Sequence, residues 1–204
     1  MAVRAVAHQL SAVEGGVATG MSLLQGTWQK AEGVWGRWGE SSGVMRPFEV
    51  KALEQWDRAW AAALLREHWG SARIVTRGVV HDGERLPGFV AVREGERVGL
   101  VTYRIEAAEC EIVSLNSLVE GIGIGSALVE AVRKVASSAG CRRLWLITTN
   151  DNMAALRFYQ TRGFQLVAVH RNALEESRRL KPEIALVGLD GIPLRDEIEL
   201  ELLL

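Results

Sequence analysis

The sequence predicts a single α/β domain, of the α+β kind, in which helices flank a mixed, mostly antiparallel sheet of about six to seven strands. Three observations indicate this fold. Residues 73–115 contain alternating apolar and polar runs on short links, which is typical of antiparallel strands. A glycine-rich stretch, residues 120–128, then opens a helical run. Beyond it, strand-like and helical runs alternate, which favours some parallel pairing with helices on the faces of the sheet.

The periodicity of the apolar residues places each element along the chain. The predicted elements are a helix over 49–68, strands over 73–77, 88–93, 97–104 and 109–115, a helix over 124–139, a strand over 143–148, a helix over 152–161, and strands over 164–170 and 197–202. The first four strands are expected to form an antiparallel meander. Gly70 is expected to end the first helix. The last strand has one acidic face, which we expect to protect an edge of the sheet.

Composition restricts the classes of function. The 204 residues are 48% hydrophobic and can bury one substantial core. The formal net charge of -1 argues against a nucleic-acid partner held by bulk electrostatics, and no apolar run is long enough to span a membrane. The two cysteines, Cys110 and Cys141, lie far apart, which favours the reducing cytoplasm. The four histidines are scattered, so no bound metal is expected.

Residues 1–44 differ in composition from the rest of the chain. Eight glycines interrupt any long periodic pattern there, and charged residues are few. We expect a poorly ordered extension ahead of a folded domain spanning residues 45–204, with Met45 as an alternative start. Trp28, Trp35 and Trp38 leave open a docked segment or a contact with a partner.

The stretch from Glu120 to Leu128 lies where a strand-like run meets a helical one. Gly121, Gly123 and Gly125 leave backbone N–H groups free of side chains at a helix N-terminus, where the helix dipole favours an anion. This pattern predicts a phosphate site, with close packing of helix on strand as the structural alternative. A nucleotide-dependent oxidoreductase fits poorly, because the third glycine and the acidic residue of a dinucleotide motif are absent. No P-loop sequence is present either.

A second motif lies in residues 148–164. Its members, at the spacing Asn-x-x-Ala-x-x-x-Tyr-x-x-x-Gly-Phe, are Asn152, Ala155, Tyr159, Gly163 and Phe164. Together with Gly123 and Gly125, this motif resembles the GCN5-related N-acetyltransferase (GNAT) family, in which Gln/Arg-x-x-Gly-x-Gly/Ala precedes it. The resemblance covers about residues 45–204. The family's Gln or Arg is Glu120 here, whose carboxylate a pyrophosphate would repel unless it turns to solvent.

The resemblance implies an acyltransferase that moves an acetyl group from acetyl-CoA, its co-substrate, to a primary amine of a small molecule or peptide. Acetyl-CoA would lie in a splay between two strands, and backbone N–H groups of residues 122–126 would hold its pyrophosphate. A backbone N–H near residues 115–118 would polarise the acetyl carbonyl. The residues expected to bind the cofactor are Leu118, Ile122, Gly123, Ile124, Gly125, Ser126, Asn152 and Tyr159.

Two of these residues have structural alternatives. Asn152 would bond the pantetheine arm or its surroundings, or serve only as the N-cap of its helix. Tyr159 would protonate the departing CoA thiolate, because a phenol stays protonated at neutral pH. The alternative for Tyr159 is a half-buried aromatic residue with its hydroxyl satisfied at the helix surface.

The resemblance also indicates a general base. Glu111 is the first candidate, because the protein-acetylating branch of the family places its base on this strand in a similar Glu-Ile-Val setting, and Glu109 is the reserve. A solvated strand charge, or a carboxylate that binds a basic substrate, is the alternative. No cysteine lies where a ping-pong nucleophile is expected, so direct attack of the amine on the thioester is implied.

Other features of the function stay open at this stage. The acceptor pocket is expected near the end of the first helix, the central strands and the C-terminal loops, with Trp69, Arg73, Arg77 and Tyr103 among its residues. A non-catalytic acyl-CoA-binding sensor is the alternative function, and the chain is expected to be a monomer or a homodimer.

Overall fold

The structure, a computed structural model, describes residues 47–204, so the predicted extension over 1–44 lies outside the described residues. These residues form nine strands and four α-helices. The strands are β1 (Glu49–Ala52), β2 (Arg73–Thr76), β3 (Val79–Asp82), β4 (Gly88–Arg93), β5 (Glu96–Glu106), β6 (Glu109–Ser117), β7 (Arg143–Thr149), β8 (Gln165–His170) and β9 (Glu197–Leu203). The helices are α1 (Arg58–Trp69), α2 (Ile124–Ser138), α3 (Met153–Gln160) and α4 (Ala173–Leu180).

Seven strands form one twisted sheet in the order β1-β4-β5-β6-β7-β9-β8. Neighbouring strands run antiparallel except for β6 and β7, which are parallel and are joined by the crossover helix α2. The predicted mixed, mostly antiparallel sheet with flanking helices is therefore confirmed. The sheet lies between two apolar clusters, one shared with α1 and the other with α2 and α3.

The start of the domain differs from the prediction. Residues 49–52 form the edge strand β1, and α1 begins only at Arg58, after a 3₁₀ turn (Gln55–Asp57) that Glu54 and Asp57 cap as a capping box. The Asp57 carboxylate also accepts a hydrogen bond of 2.7 Å from Nε of Arg97, which fixes this corner on β5. Trp56, expected on the apolar face of a helix, is 73% exposed. Gly70 ends α1 in a left-handed conformation, as predicted.

Strand β2 does not belong to the meander. It pairs with β3 in a separate two-stranded hairpin, and β1 takes the outer position beside β4. The sequence over 73–77 alternates as a strand should, but alternation does not say which neighbour the strand pairs with. The hairpin lies against the middle of the main sheet, where Thr76 reaches Glu111 on β6.

The acidic strand β9 is not at an edge of the sheet. It lies between β7 and β8 and pairs with both of them, so the expected role of its acidic face in edge protection is wrong. Glu197 and Glu199 are buried on this strand, at 1% and 4% exposure. Residues 173–180, expected in a loop-rich stretch, form α4.

Candidate active site

The two parallel strands at the centre of the sheet separate partway along their length. Strand β6 pairs with β7 only from Glu109 to Ile112, and its remaining residues pair with β5 alone. A β-bulge initiates this separation, because the register shift beside Thr102 leaves Val113 without a partner on β5. The result is an open wedge between β6 and β7, of the kind that the resemblance implies for acetyl-CoA.

The open side of β6 carries unpaired backbone groups. The N–H of Leu118 donates to the carbonyl of Val98 at 2.8 Å and is therefore occupied by β5. Because an antiparallel ladder alternates, the N–H and C=O groups of Leu115 and Ser117 point away from β5 into the wedge. Of the residues considered from sequence, Leu115 rather than Leu118 offers a free N–H to an acetyl carbonyl.

The glycine loop joins the wedge to α2. Gly121 and Gly123 have φ of +76° and +88°, which side chains of L-residues rarely adopt, and a Cβ at either position would meet nothing within 4 Å. These glycines are therefore required by the backbone conformation and not by lack of space. Gly123 is the N-cap of α2, so the N–H groups of the first turn, Ile124 to Ser126, have no partner within the helix. Glu120 is exposed to solvent.

Gly125 has a different reason to be glycine. A Cβ there would lie 3.1 Å from Cζ of Phe158 in α3, so this position allows α2 and α3 to pack closely. The structural alternative for the glycines was close packing of helix on strand. The close contact at Gly125 is instead with another helix, α3, whereas Gly121 and Gly123 shape the loop itself.

A cation lies beside the first turn of α2. Arg162 donates from Nε and Nη2 to Oγ of Ser126, at 2.9 and 2.7 Å, and its guanidinium group stacks 3.6 Å above the ring of Phe158. Nη1 of Arg162 donates to the carbonyl of Phe158 at 2.6 Å. These contacts hold a positive charge at the end of the helix where an anion is favoured.

One face of α3 forms the opposite side of the wedge. Asn152, Ala155 and Tyr159 follow each other at spacings of three and four, so the second motif lies along a single helix face. Oδ1 of Asn152 accepts the N–H of Ala155 at 3.0 Å, which makes Asn152 the N-cap of the helix. Tyr159 is 4% exposed and contacts Phe158 and Phe164 edge-on. Burial raises the pKa of the Tyr159 phenol well above 10.

A cavity of about 90 Å³ lies between these elements. The walls combine apolar side chains from six parts of the chain with a few polar groups. The polar and aromatic lining residues are Trp69, Thr76, Ser114, Thr148, Thr149, Asn152, Tyr159, Lys181 and Glu197. Of the acceptor-pocket residues expected from sequence, the structure places Trp69 here, whereas Tyr103 stacks on Phe89 instead.

Glu111 lies behind the cavity wall and not on it. The Thr76 hydroxyl, which lines the cavity, donates to Oε1 of Glu111 at 2.7 Å. Since that hydroxyl has only one hydrogen, it must accept from His81, whose Nε2 donates to it at 2.7 Å. His81 is neutral, because burial and the nearby Arg104 lower its pKa to about 4. Burial raises the pKa of Glu111, and Oε2 of Glu111 is buried with no hydrogen bond.

The reserve carboxylate, Glu109, is engaged elsewhere. It accepts a hydrogen bond of 2.8 Å from Nη2 of Arg143, whose Nη1 bonds Glu199 and Glu201. Sequence reasoning missed the carboxylate that does line the cavity, Glu197 on β9. The alternation of residues 197–201 showed that these acids share a face, but it did not show that β9 lies inside the sheet.

The two cysteines belong to the apolar core on the α2 side of the sheet. Cys110 and Cys141 are both free and buried, and burial raises the pKa of Cys110 to about 12, which keeps it a thiol. Among residues 47–204, no group of three or more His, Cys, Asp or Glu side chains is arranged to hold a metal ion. No helix in this part of the chain is long and apolar enough to cross a membrane.

Comparison with known proteins identifies the family. The acetyltransferase (GNAT) family model matches residues 45–164. YdhI, an uncharacterized protein of Bacillus subtilis, is 49% identical over 133 residues, which are 65% of this chain and 83% of YdhI.

Two solved structures share the fold. A Bacillus subtilis acetyltransferase in complex with CoA aligns with a TM-score of 0.51 and 24% identity, over 59% of this chain and 78% of the other. The IAA acetyltransferase of Bacillus cereus aligns with a TM-score of 0.60 and 19% identity, over 77% of this chain and 99% of the other. With the family model spanning more than half of the sequence, the chain belongs to the GNAT acetyltransferase family.

Proposed function

We propose that this protein transfers an acetyl group from acetyl-CoA to a primary amine, by direct attack of the amine on the thioester. The observation that carries the proposal is the wedge between β6 and β7, which opens beyond Ile112 with the glycine loop on one side and Tyr159 on the other. The bound CoA of the similar Bacillus subtilis acetyltransferase supports this choice of co-substrate. We propose residues 45–204 as the catalytic unit.

The backbone of this chain would hold the co-substrate along the wedge. The free N–H groups of the α2 first turn would bind the pyrophosphate, with the N–H of Ile122 beside them. Arg162 would supply the cation that the family motif places at the position of Glu120, because its guanidinium group is fixed against Ser126 while Glu120 is exposed. Asn152 would bind near the pantetheine arm with the amide group that remains after capping α3.

The thioester supplies an activated acetyl carbonyl, and side chains at or behind the cavity wall would donate and accept the protons of the reaction. The N–H of Leu115 would polarise the carbonyl as the C–N bond forms and the C–S bond breaks. Tyr159 would give its phenolic proton to the departing sulfur, a role that a buried, protonated phenol suits.

The amine must also lose protons. Glu111 would take the first of them through the Thr76 hydroxyl, which receives the amine proton as it passes its own to Glu111 Oε1. The raised pKa of Glu111 makes it a better base than an exposed carboxylate. The Tyr159 phenolate would take the second proton from the new amide nitrogen, and Glu111 would release its proton to water. Each transfer then yields one amide, one CoA thiol and one proton.

The experiment is acetyl-CoA-dependent thiol release against pooled primary amines, repeated with Tyr159→Phe. We expect the variant to lose about 10²- to 10⁴-fold in kcat, with the affinity for acetyl-CoA unchanged. Tyr103→Phe is the matched control, because Tyr103 stacks on Phe89 and does not line the cavity. Wild-type protein that binds acetyl-CoA but acetylates no amine in any pool would support the sensor function instead. The free, buried cysteines favour the cytoplasm as the place of this activity.

A further inference from the structure

The acidic face of β9 is balanced by cations everywhere except at the cavity. Glu199 accepts hydrogen bonds from Arg143 and His170, at 3.0 and 2.9 Å, and lies 3.4 Å from the guanidinium group of Arg77. Glu201 pairs with Arg143 at 2.9 Å. Glu197, the third acid of this face, has no cationic partner among the described residues.

Glu197 is nonetheless fully buried. It is 1% exposed, and its two oxygens accept hydrogen bonds from neutral donors, the backbone N–H of Arg77 at 2.9 Å and the Ser177 hydroxyl at 2.8 Å. A carboxylate has about four lone-pair sites, so acceptor capacity remains on both oxygens. A buried carboxylate without a counter-ion is costly, which favours a positive charge from outside the chain.

The other charged groups around the cavity do not supply that charge. Lys181 lines the same cavity, but its ammonium group donates to the carbonyls of Trp69 and Arg73, at 2.7 Å each. The charge of Arg77 is directed to Glu199. Glu111 is a second buried carboxylate behind Thr76, but it has its own cation, because its Oε2 lies 3.7 Å from Nε of Arg104. The cavity wall formed by β9 therefore carries a buried carboxylate that has no cation of the described residues within ion-pair distance, although Lys181 lines the same cavity.

We propose that Glu197 binds the acceptor amine as an ammonium ion and determines the substrate class: a small primary amine on an apolar body, with no acidic group. The proposal rests on the proposed function, because the cavity that Glu197 lines is the acceptor end of the wedge. The body of the acceptor would contact the apolar walls, which include Ile74, Leu174 and Ile184. A cavity of about 90 Å³ suits an aliphatic group of a few carbons. A carboxylate beside the amine would face Glu197 and be repelled.

The test compares two acceptors that differ by one carboxylate. Isobutylamine is valine without its carboxyl group, so the apolar body is the same in both. With the wild-type chain and saturating acetyl-CoA, we expect kcat/KM for isobutylamine to exceed that for valine by at least about tenfold. This comparison needs no variant and does not depend on how a substitution folds. Equal or better use of valine would overturn the inference while leaving acetyl transfer itself established.

Variants then test whether Glu197 causes the preference for isobutylamine over valine. We expect Glu197→Gln to raise the KM for isobutylamine about 10- to 150-fold, the range for losing a hydrogen bond to a charged group. The KM for acetyl-CoA should not change, and Glu197→Asp should recover part of the loss because it keeps the charge. Glu199→Gln is the matched control, since it removes a buried carboxylate from the same strand outside the cavity. An unchanged amine KM in Glu197→Gln, or an equal rise in Glu199→Gln, would overturn the assignment. If isobutylamine is not acetylated while other primary amines are, this inference alone is overturned; if no amine in any pool is acetylated although acetyl-CoA binds, the proposed function fails with it.

Discussion

The role of the glycine loop can be tested by comparing the two ends of α2. Gly123 precedes the helix with φ of +88°, and Gly140 follows it with φ of +74°. A Cβ at either position would meet nothing within 4 Å, so alanine adds backbone strain at both ends and steric conflict at neither. The two positions flank a helix of fifteen residues, about 22 Å long, so loss of stability can be separated from loss of binding.

The expected loss of stability is the same for both variants. Holding an alanine in the left-handed region costs about 1–2 kcal/mol. For a folded unit of this size, each 1 kcal/mol lowers Tm by about 2–4 °C, so Gly123→Ala and Gly140→Ala should each lose about 2–8 °C.

The expected effect on acetyl-CoA differs between the two variants. Relaxation of the strained loop in Gly123→Ala would turn the N–H groups of Ile124 and Gly125 away from the pyrophosphate. Each hydrogen bond to a charged group contributes about 1.5–3 kcal/mol, so Kd should rise about 10- to 150-fold for one lost bond. Gly140→Ala should leave Kd unchanged. Calorimetric titration with acetyl-CoA measures both, and equal Kd values in the two variants would refute the assignment of the phosphate site to this loop.

Two further predictions concern side chains at the site. Asn152→Ala should destabilise the protein by about 1 kcal/mol by removing the N-cap of α3, whereas Asn152→Asp should keep the cap. Both variants should weaken acetyl-CoA binding. Normal acetyl-CoA binding by Asn152→Asp would show that Asn152 only caps the helix. The pKa of His81 is about 4 in the folded chain and about 6.5 in the unfolded chain, so the unfolded chain takes up the proton first as the pH falls. The free energy of unfolding should therefore decrease by about 3 kcal/mol between about pH 6.5 and about pH 4. In urea unfolding between pH 7 and 4.5, His81→Gln should remove this dependence of the free energy of unfolding on pH. An unchanged pH dependence would contradict the neutral, buried state of His81.

Much of the site was accessible from the sequence because its residues are set by local geometry. Asn152, Ala155 and Tyr159 share a face of α3 through helical spacing alone, and Gly121 and Gly123 are required by a backbone conformation that only the loop imposes. Such constraints leave a pattern in the chain itself. For the same reason the sequence predicted α2, α3 and most strands of the sheet.

The features that were missed depend on residues far apart in the chain. Glu197 became a candidate only when β9 was found between β7 and β8, with Arg143 neutralising Glu199 and Glu201 but not Glu197. Period-two alternation describes the faces of a strand and says nothing about its neighbours. The helix predicted from residue 49 was too long because the spacing of Leu53 and Trp56 fits a helix, whereas residues 49–52 pair as a strand with β4 and α1 begins only at Arg58.

The proposed function requires that the wedge between β6 and β7 deliver an acetyl group to an amine in the cavity beside Tyr159. The most direct measurement uses acetyl-CoA carrying a deuterated acetyl group, with isobutylamine as acceptor and mass spectrometry of the product. We expect labelled N-acetyl amine in equal amount to released CoA thiol, with a rate that saturates in both substrates and falls strongly in Tyr159→Phe. Thiol release without labelled amide, or acetyl-CoA binding with no turnover of any amine, would contradict it.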